Sequence, residues 1–148
     1  MLECLIIGDS IAVGTHQARP ECVAYAKGGW NTWQWNREYL NKNLSAKTVI
    51  ISLGSNDHKG VRTKAELQRL REKVGTAARV FWILPHGNLP AGGVPIEQIQ
   101  QIVKSMAQEY GDTVLPITRV SKDNIHPSWA GYKAVSYTHL TLPTKRIV

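Results

Sequence analysis

The chain has 148 residues, enough for one domain with its own hydrophobic core, so nothing in its size calls for disulfides. No stretch approaches the roughly 18 consecutive apolar residues that span a bilayer, and Met1 runs almost directly into LECLIIG without the basic segment that opens a signal peptide, so a soluble protein is expected, cytoplasmic or otherwise without a signal peptide of its own. The formal net charge of +7 is spread over scattered Lys and Arg with no basic run and interleaved aromatics, which argues for a solvated surface with mild anion attraction and against a nucleic-acid partner.

The first strand-like run, ECLIIG, ends in GDSIAVG, where a charged and a hydroxylated residue follow a buried strand at once with only small and apolar residues behind them. CVAYA, TVIISL, RVFWIL and TVLPI read as further buried strands, each bounded by Gly, Pro, Asn or Asp. Cys4 and Cys22 lie within or beside such runs, with neither metal-ligand spacing nor a partner motif. They read as two buried thiols rather than a disulfide.

Between the strands lie helical patterns. Thr63 and Glu66 read as a capping box ahead of Leu67, Leu70 and Val74, and Pro95 opens a stripe of Ile96, Ile99, Val103, Met106 and Tyr110 that Gly111 closes. The helical signals after Ser10 and after Asn31 are weaker. Trp33 and Trp35 cannot share one helix face, so at least one of them is expected to be exposed.

HPSWAGYKA opens a last helix, and the pattern then stops. The tail VSYTHLTLPTKRIV resembles the translation of a transposon-type sequencing adapter. On this reading the domain covers residues 1–134, residues 135–148 are a non-native tail, and the last helix is cut short.

Alternating strands and helices predict an α/β fold: three α/β/α layers around a parallel sheet of about five strands. A flavodoxin-like strand order of 2-1-3-4-5 would put the first strand between the second and third. The loop at Ser10 would then be flanked by AKGGWN on one side and GSND on the other, at the carboxyl edge where such sheets bind ligands. No internal repeat or linker is evident.

GDS with Ser10, the glycine of AKGGW, GSND after the third strand and DNIHPSWAGY before the last helix together resemble the SGNH hydrolases, also called GDSL-type esterases. The likeness runs over residues 2–134 with all four motifs in the family's order. It implies a serine esterase that cleaves carboxylic esters without metal or organic cofactor. Its nucleophile would be Ser10, its base His126 and the orienting acid Asp123. Its oxyanion donors would be Ser10, Gly29 and Asn56.

The residues themselves suit that chemistry. A serine hydroxyl is a poor nucleophile until a base takes its proton, and a near-neutral imidazole such as His126 can take it and return it. Asp123, three residues earlier, can fold back to hold the ring in the required tautomer. The backbone N–H of Ser10 at a helix start, that of Gly29, and the Asn56 amide are available where negative charge develops; Gly28 is the less suitable of the glycine pair. Asp9 is expected to anchor its turn by hydrogen bonds, and Asp57 to do the same for Asn56.

WNTWQWN concentrates aromatics just after Gly29. Trp30 and Trp33 could stack on a sugar ring or line an acyl pocket, against the plainer reading of core packing. His58 and His86 follow strands and could border the pocket, or be solvated loop histidines. The substrate class expected is a small-molecule or carbohydrate ester, O-acetyl groups foremost. A thioesterase or lysophospholipase, or a non-catalytic ligand-binding module on the same fold, is the alternative. Against a flavin module, the first loop lacks the Ser and Thr donors of a phosphate site.

Overall fold

Every apolar run becomes a strand of one parallel sheet in the computed structural model, which describes residues 1–76, 78–87, 94–117 and 126–133. The elements alternate: β1 (Leu2–Gly8), α1 (Ser10–Ala18), β2 (Val23–Ala26), α2 (Thr32–Tyr39), β3 (Ala46–Ser52), α3 (Thr63–Val74), β4 (Arg79–Ile83), α4 (Ile96–Tyr110) and β5 (Thr113–Leu115). The strand order is β2-β1-β3-β4-β5, as expected. Residues 134–148, and with them the expected tail, lie outside the described residues.

The strands are apolar throughout because both faces of the sheet are covered. Successive side chains point to opposite faces. Leu5 and Ile7 of β1, Val49 and Ile51 of β3, and Val80 and Trp82 of β4 therefore enter one core, shared with Trp35, Leu67, Leu70 and Val103 of α2, α3 and α4. Ile6, Ile50, Phe81 and Ile83 enter the other, with Ile11 and Ala12 of α1 and the half-buried Tyr132.

Helix α4 has the limits its sequence marks, with Pro95 at the N-cap and Gly111 in a left-handed C-cap, and it buries Ile96, Ile99, Val103 and Met106. Helix α2 is better capped than its weak signal suggested. Asn31 accepts from the Gln34 backbone while the Gln34 side chain accepts from the Asn31 backbone, a full capping box. Trp35 is fully buried, its indole N–H donating to the Tyr25 carbonyl at 2.8 Å, while Trp33 on the other face is 48% exposed.

Two expectations are corrected. Thr63 and Glu66 do not form a capping box: Arg62 is the N-cap of α3, Thr63 is already inside the helix, and no side chain caps it. The Thr63 hydroxyl donates instead to Asp57, and Glu66 accepts from Asn36 and Arg69. Cys4 and Cys22 form a disulfide, not two thiols, with Cα atoms 5.0 Å apart. The register explains it: Leu5 pairs with Val23, so the residues just before them stand side by side across the β1–β2 ladder. Disulfides persist in oxidising surroundings. Among the described residues, no helix is long and apolar enough to cross a membrane.

A bridge that closes a loop of this length contributes about 3 kcal/mol by constraining the unfolded chain. The Cys4→Ala/Cys22→Ala double variant should therefore unfold at clearly lower urea than the parent, and non-reducing peptide mapping of the parent should recover the two cysteines joined. Free thiols in the parent, or an unchanged unfolding midpoint, would contradict the bridge or its contribution.

Candidate active site

The strand order reverses about β1, so the loops after β2 and β3 pass on either side of the β1–α1 turn. Gly8 makes that turn possible. At its φ of +147° a side chain is strained, and a Cβ would stand 1.9 Å from the Ser52 carbonyl oxygen. Asp9 then donates its backbone N–H to that same carbonyl at 3.0 Å and caps α1, its Oδ1 accepting from the Ile11 N–H at 3.0 Å. Ser10 follows as the first residue of α1.

The Ser10 hydroxyl oxygen lies 2.6 Å from Nε2 of His126. His126 stands just before a helical stretch over residues 129–133, where the Ser128 hydroxyl accepts from the Gly131 N–H as a helix cap does. Tyr132 of that stretch packs against α1 at Gly14, where a Cβ would lie 2.2 Å from the tyrosine ring. Gly14 is thus small because a ring occupies the space, and that contact seats the His126 segment beside Ser10. Asp123 lies outside the described residues.

Across the turn, the Lys27 N–H donates to the Gly8 carbonyl at 3.0 Å, and a Cβ on Gly28 would be 3.8 Å from that of Ser10. Gly29 follows at a φ of +81°, with no described atom within 4 Å of where a Cβ would stand. From the other side the Asn56 amide donates to the Trp30 carbonyl at 3.1 Å, which leaves it a second N–H. Ser10, His126, the Gly28–Gly29 turn and Asn56 are therefore brought to one edge of the sheet.

The remaining expected residues are distributed less evenly. Trp30 is half-buried, its ring tilted against Tyr39. Trp33 is exposed beneath the Arg37 guanidinium. His58 is exposed, its Nδ1 accepting from the Gly60 N–H, and it borders a cavity of about 570 Å³ between the β3–α3 loop and the start of α4. His86 is half-buried after β4. Sequence reasoning passed over Trp129, 52% exposed three residues after His126 with the Lys133 ammonium over its ring. Its position in the HPSW run was the available signal. Among the described residues, no group of three or more His, Cys, Asp or Glu could hold a metal ion.

Asp57 anchors the turn that carries Asn56, as expected, its N–H donating to the Gly54 carbonyl, and its carboxylate accepts from Thr32 and Thr63. Asp9 is completely buried, and its Oδ2 has no hydrogen-bond partner among the described residues. Burial pushes its carboxyl up to about 7, against the Ile11 N–H and the His126 charge, which favour ionisation, and with the help of Asp57, which opposes it.

Fold and geometry together define a class: a three-layer α/β protein with a serine hydroxyl and an imidazole paired at the carboxyl edge of its parallel sheet. The model of the GDSL-like lipase/acylhydrolase family matches residues 6–134, and the chain belongs to that family. No curated protein matches it in sequence. In structure it is similar to the C-terminal catalytic domain of Streptococcus pneumoniae peptidoglycan O-acetyltransferase A, with 19% identity over 97% of this chain and 95% of that one and a TM-score of 0.70. It also resembles a member of the lipolytic G-D-S-L family from Veillonella parvula, at 16% identity over 98% and 100% of the two chains, TM-score 0.67. A carbohydrate acetylesterase family member from Sinorhizobium meliloti is similar at 14% identity over 99% and 98%, TM-score 0.63. At such identities the likeness establishes a shared fold.

The buried Asp9 carboxyl gives stability a pH dependence. Between about pH 4, where a free aspartate loses its proton, and about pH 7 the folded chain holds a proton that the unfolded chain has released. Its contribution is therefore fully present below that window and lost as the pH rises through about 7. Asp9→Asn, which keeps an acceptor for the Ile11 N–H, should lose less stability than the parent between pH 5 and 8 in urea titrations. Parallel profiles for the two proteins would show that Asp9 is ionised throughout.

Proposed function

We propose that this chain is a serine esterase that hydrolyses carboxylic esters through an acyl-enzyme intermediate, with O-acetyl groups on carbohydrate as its substrates. The observation that carries the reading is the 2.6 Å contact between Ser10 Oγ and His126 Nε2 at the carboxyl edge of the sheet. As Ser10 attacks the ester carbonyl, its proton passes to Nε2, and the new bond leaves a tetrahedral oxyanion. The backbone N–H groups of Ser10 and Gly29 and the free N–H of Asn56 are the donors for that charge. His126 returns the proton to the departing alcohol, leaving the acyl group on Ser10. Water, deprotonated by His126, then releases the acid and regenerates the hydroxyl. Asp123 takes the role of holding His126 in the tautomer that presents Nε2.

The carbohydrate preference is supported by two exposed indoles, Trp33 and Trp129, on the segments that follow Gly29 and His126. Exposed indoles offer flat apolar faces to sugar rings. The peptidoglycan O-acetyltransferase domain and the carbohydrate acetylesterase family member among the similar structures support it as well.

A fluorophosphonate probe should modify Ser10 and abolish turnover of p-nitrophenyl acetate, and Ser10→Ala should neither react nor turn over. Labelling elsewhere, or full activity in Ser10→Ala, would overturn the nucleophile; a folded chain inert to both reagents would favour a binding module. Asn56→Ala should lower kcat by about 10²- to 10³-fold with little change in KM. For the substrate class, acetylated oligosaccharides should be deacetylated. Trp33→Ala and Trp129→Ala should raise KM for them roughly three- to tenfold, the worth of an aromatic stack, while leaving p-nitrophenyl acetate unaffected. Faster hydrolysis of long-chain than of acetyl esters would instead favour a lysophospholipase or thioesterase.

A further inference from the structure

The two donors assigned to Gly29 and Asn56 sit on loops that follow β2 and β3, strands that are not neighbours because β1 lies between them. Two strand spacings amount to about 10 Å, and no ladder hydrogen bond joins β2 to β3, so the sheet itself does not fix the separation of the loops. Side-chain bonds across the top of β1 do. Asn56 reaches the Trp30 carbonyl at 3.1 Å. Its neighbour Asp57 reaches Thr32, two residues further along the same loop: Oδ1 accepts from the Thr32 N–H at 2.9 Å, and the Thr32 hydroxyl lies 3.0 and 2.9 Å from the two carboxylate oxygens. Oδ2 also accepts from the Thr63 hydroxyl at 2.6 Å.

Asp57 is 1% exposed, and Thr32 and Thr63 are buried with it. A carboxylate in such surroundings is retained only if it is well supplied with donors, and here the donors come from the first residues of α2 and α3. The Asp57 N–H, donating to the Gly54 carbonyl, closes the turn that presents Asn56.

We infer that Asp57, braced by Thr63, is the positioning residue that sets the separation of the Gly29 and Asn56 loops and thereby assembles the oxyanion site. The inference rests on the esterase reading above and adds to it a residue that touches no substrate. If the spacing of the donors matters only when charge develops on the carbonyl oxygen, disturbing it lowers kcat and leaves KM alone.

Thr63→Val keeps the shape of the side chain and removes the hydroxyl; Thr63→Ser keeps the hydroxyl. With p-nitrophenyl acetate, Thr63→Val should lose about tenfold in kcat with KM within twofold of the parent, and Thr63→Ser should recover most of the loss. Asp57→Ala should lose 10²-fold or more. In an Asn56→Ala background the same Asp57→Ala change should cost far less, because one of the donors it positions is already gone. An unchanged kcat in Thr63→Val would overturn the inference even if Asp57→Ala fails to fold. So would a loss that falls on KM, or Asp57 and Asn56 effects that multiply in full. A parent chain without Ser10-dependent turnover would overturn the esterase reading and this inference together. Turnover in the parent with an indifferent Thr63→Val would overturn this inference alone.

Discussion

The contact between the Ser10 hydroxyl and the His126 imidazole joins residues 116 positions apart, and much of the fold can be understood as the means of making it. One partner is held by β1, the strand with neighbours on both sides nearest the point where the strand order reverses. The other stands at the head of a short helical stretch whose Tyr132 packs on α1 at Gly14. A glycine is needed at each end of this arrangement. Gly8 lets β1 end against the Ser52 carbonyl, and Gly14 gives the Tyr132 ring its seat on α1. A methyl group at either place would move one partner, and proton transfer over hydrogen-bond distance tolerates little displacement.

Two buried carboxylates flank this contact, and their surroundings treat them differently. Asp57 has donors for both oxygens and ties the elements that carry the donor loops. Asp9 has one donor and, among the described residues, no partner for its other oxygen, and desolvation holds its proton on up to about pH 7. The second arrangement avoids placing two negative charges close together in a region with little water to screen them. Below about pH 7 the site thus keeps one carboxylate as a clamp and one carboxylic acid as a helix cap.

The relation of the two cores to the site is also physical. Three helices cover one face of the sheet and bring the N-termini of α2 and α3 to the edge where Asn56 lies. Fewer described residues cover the other face, where α1 and the segment over 129–133 share the smaller core. Among the described residues, the imidazole is therefore carried by the layer with the smaller core, and the donor loops by the layer with the larger one. Stability of the donor geometry and stability of the Ser10–His126 contact depend on different sets of apolar side chains.

Much of this was legible in the amino-acid order. Five uninterrupted apolar runs separated by helical patterns required a sheet buried on both faces, and the strand order 2-1-3-4-5 places GDS, AKGGW and GSND together as expected. Pro95 and Gly111 marked the ends of α4, because these signals lie within a few residues or repeat with a fixed period; Ser10 and His126, 116 positions apart, were named as partners only through the resemblance to the SGNH hydrolases. Other features depended on which elements became neighbours. Thr63 looked like a helix cap until the loop after β3 brought Asp57 to its hydroxyl, and the carboxylate of Asp57 found a further donor in Thr32, 25 residues away. Cys4 and Cys22 looked like separate thiols until the β1–β2 register set them side by side. The helical period kept Trp33 and Trp35 off one helix face, so at least one was expected to be exposed, and only packing determined that Trp35 entered the core. Local order thus determined the elements and the chemical groups they carry; pairings across the sheet were decided by tertiary structure, because a side chain's partner depends on distances that no local pattern encodes.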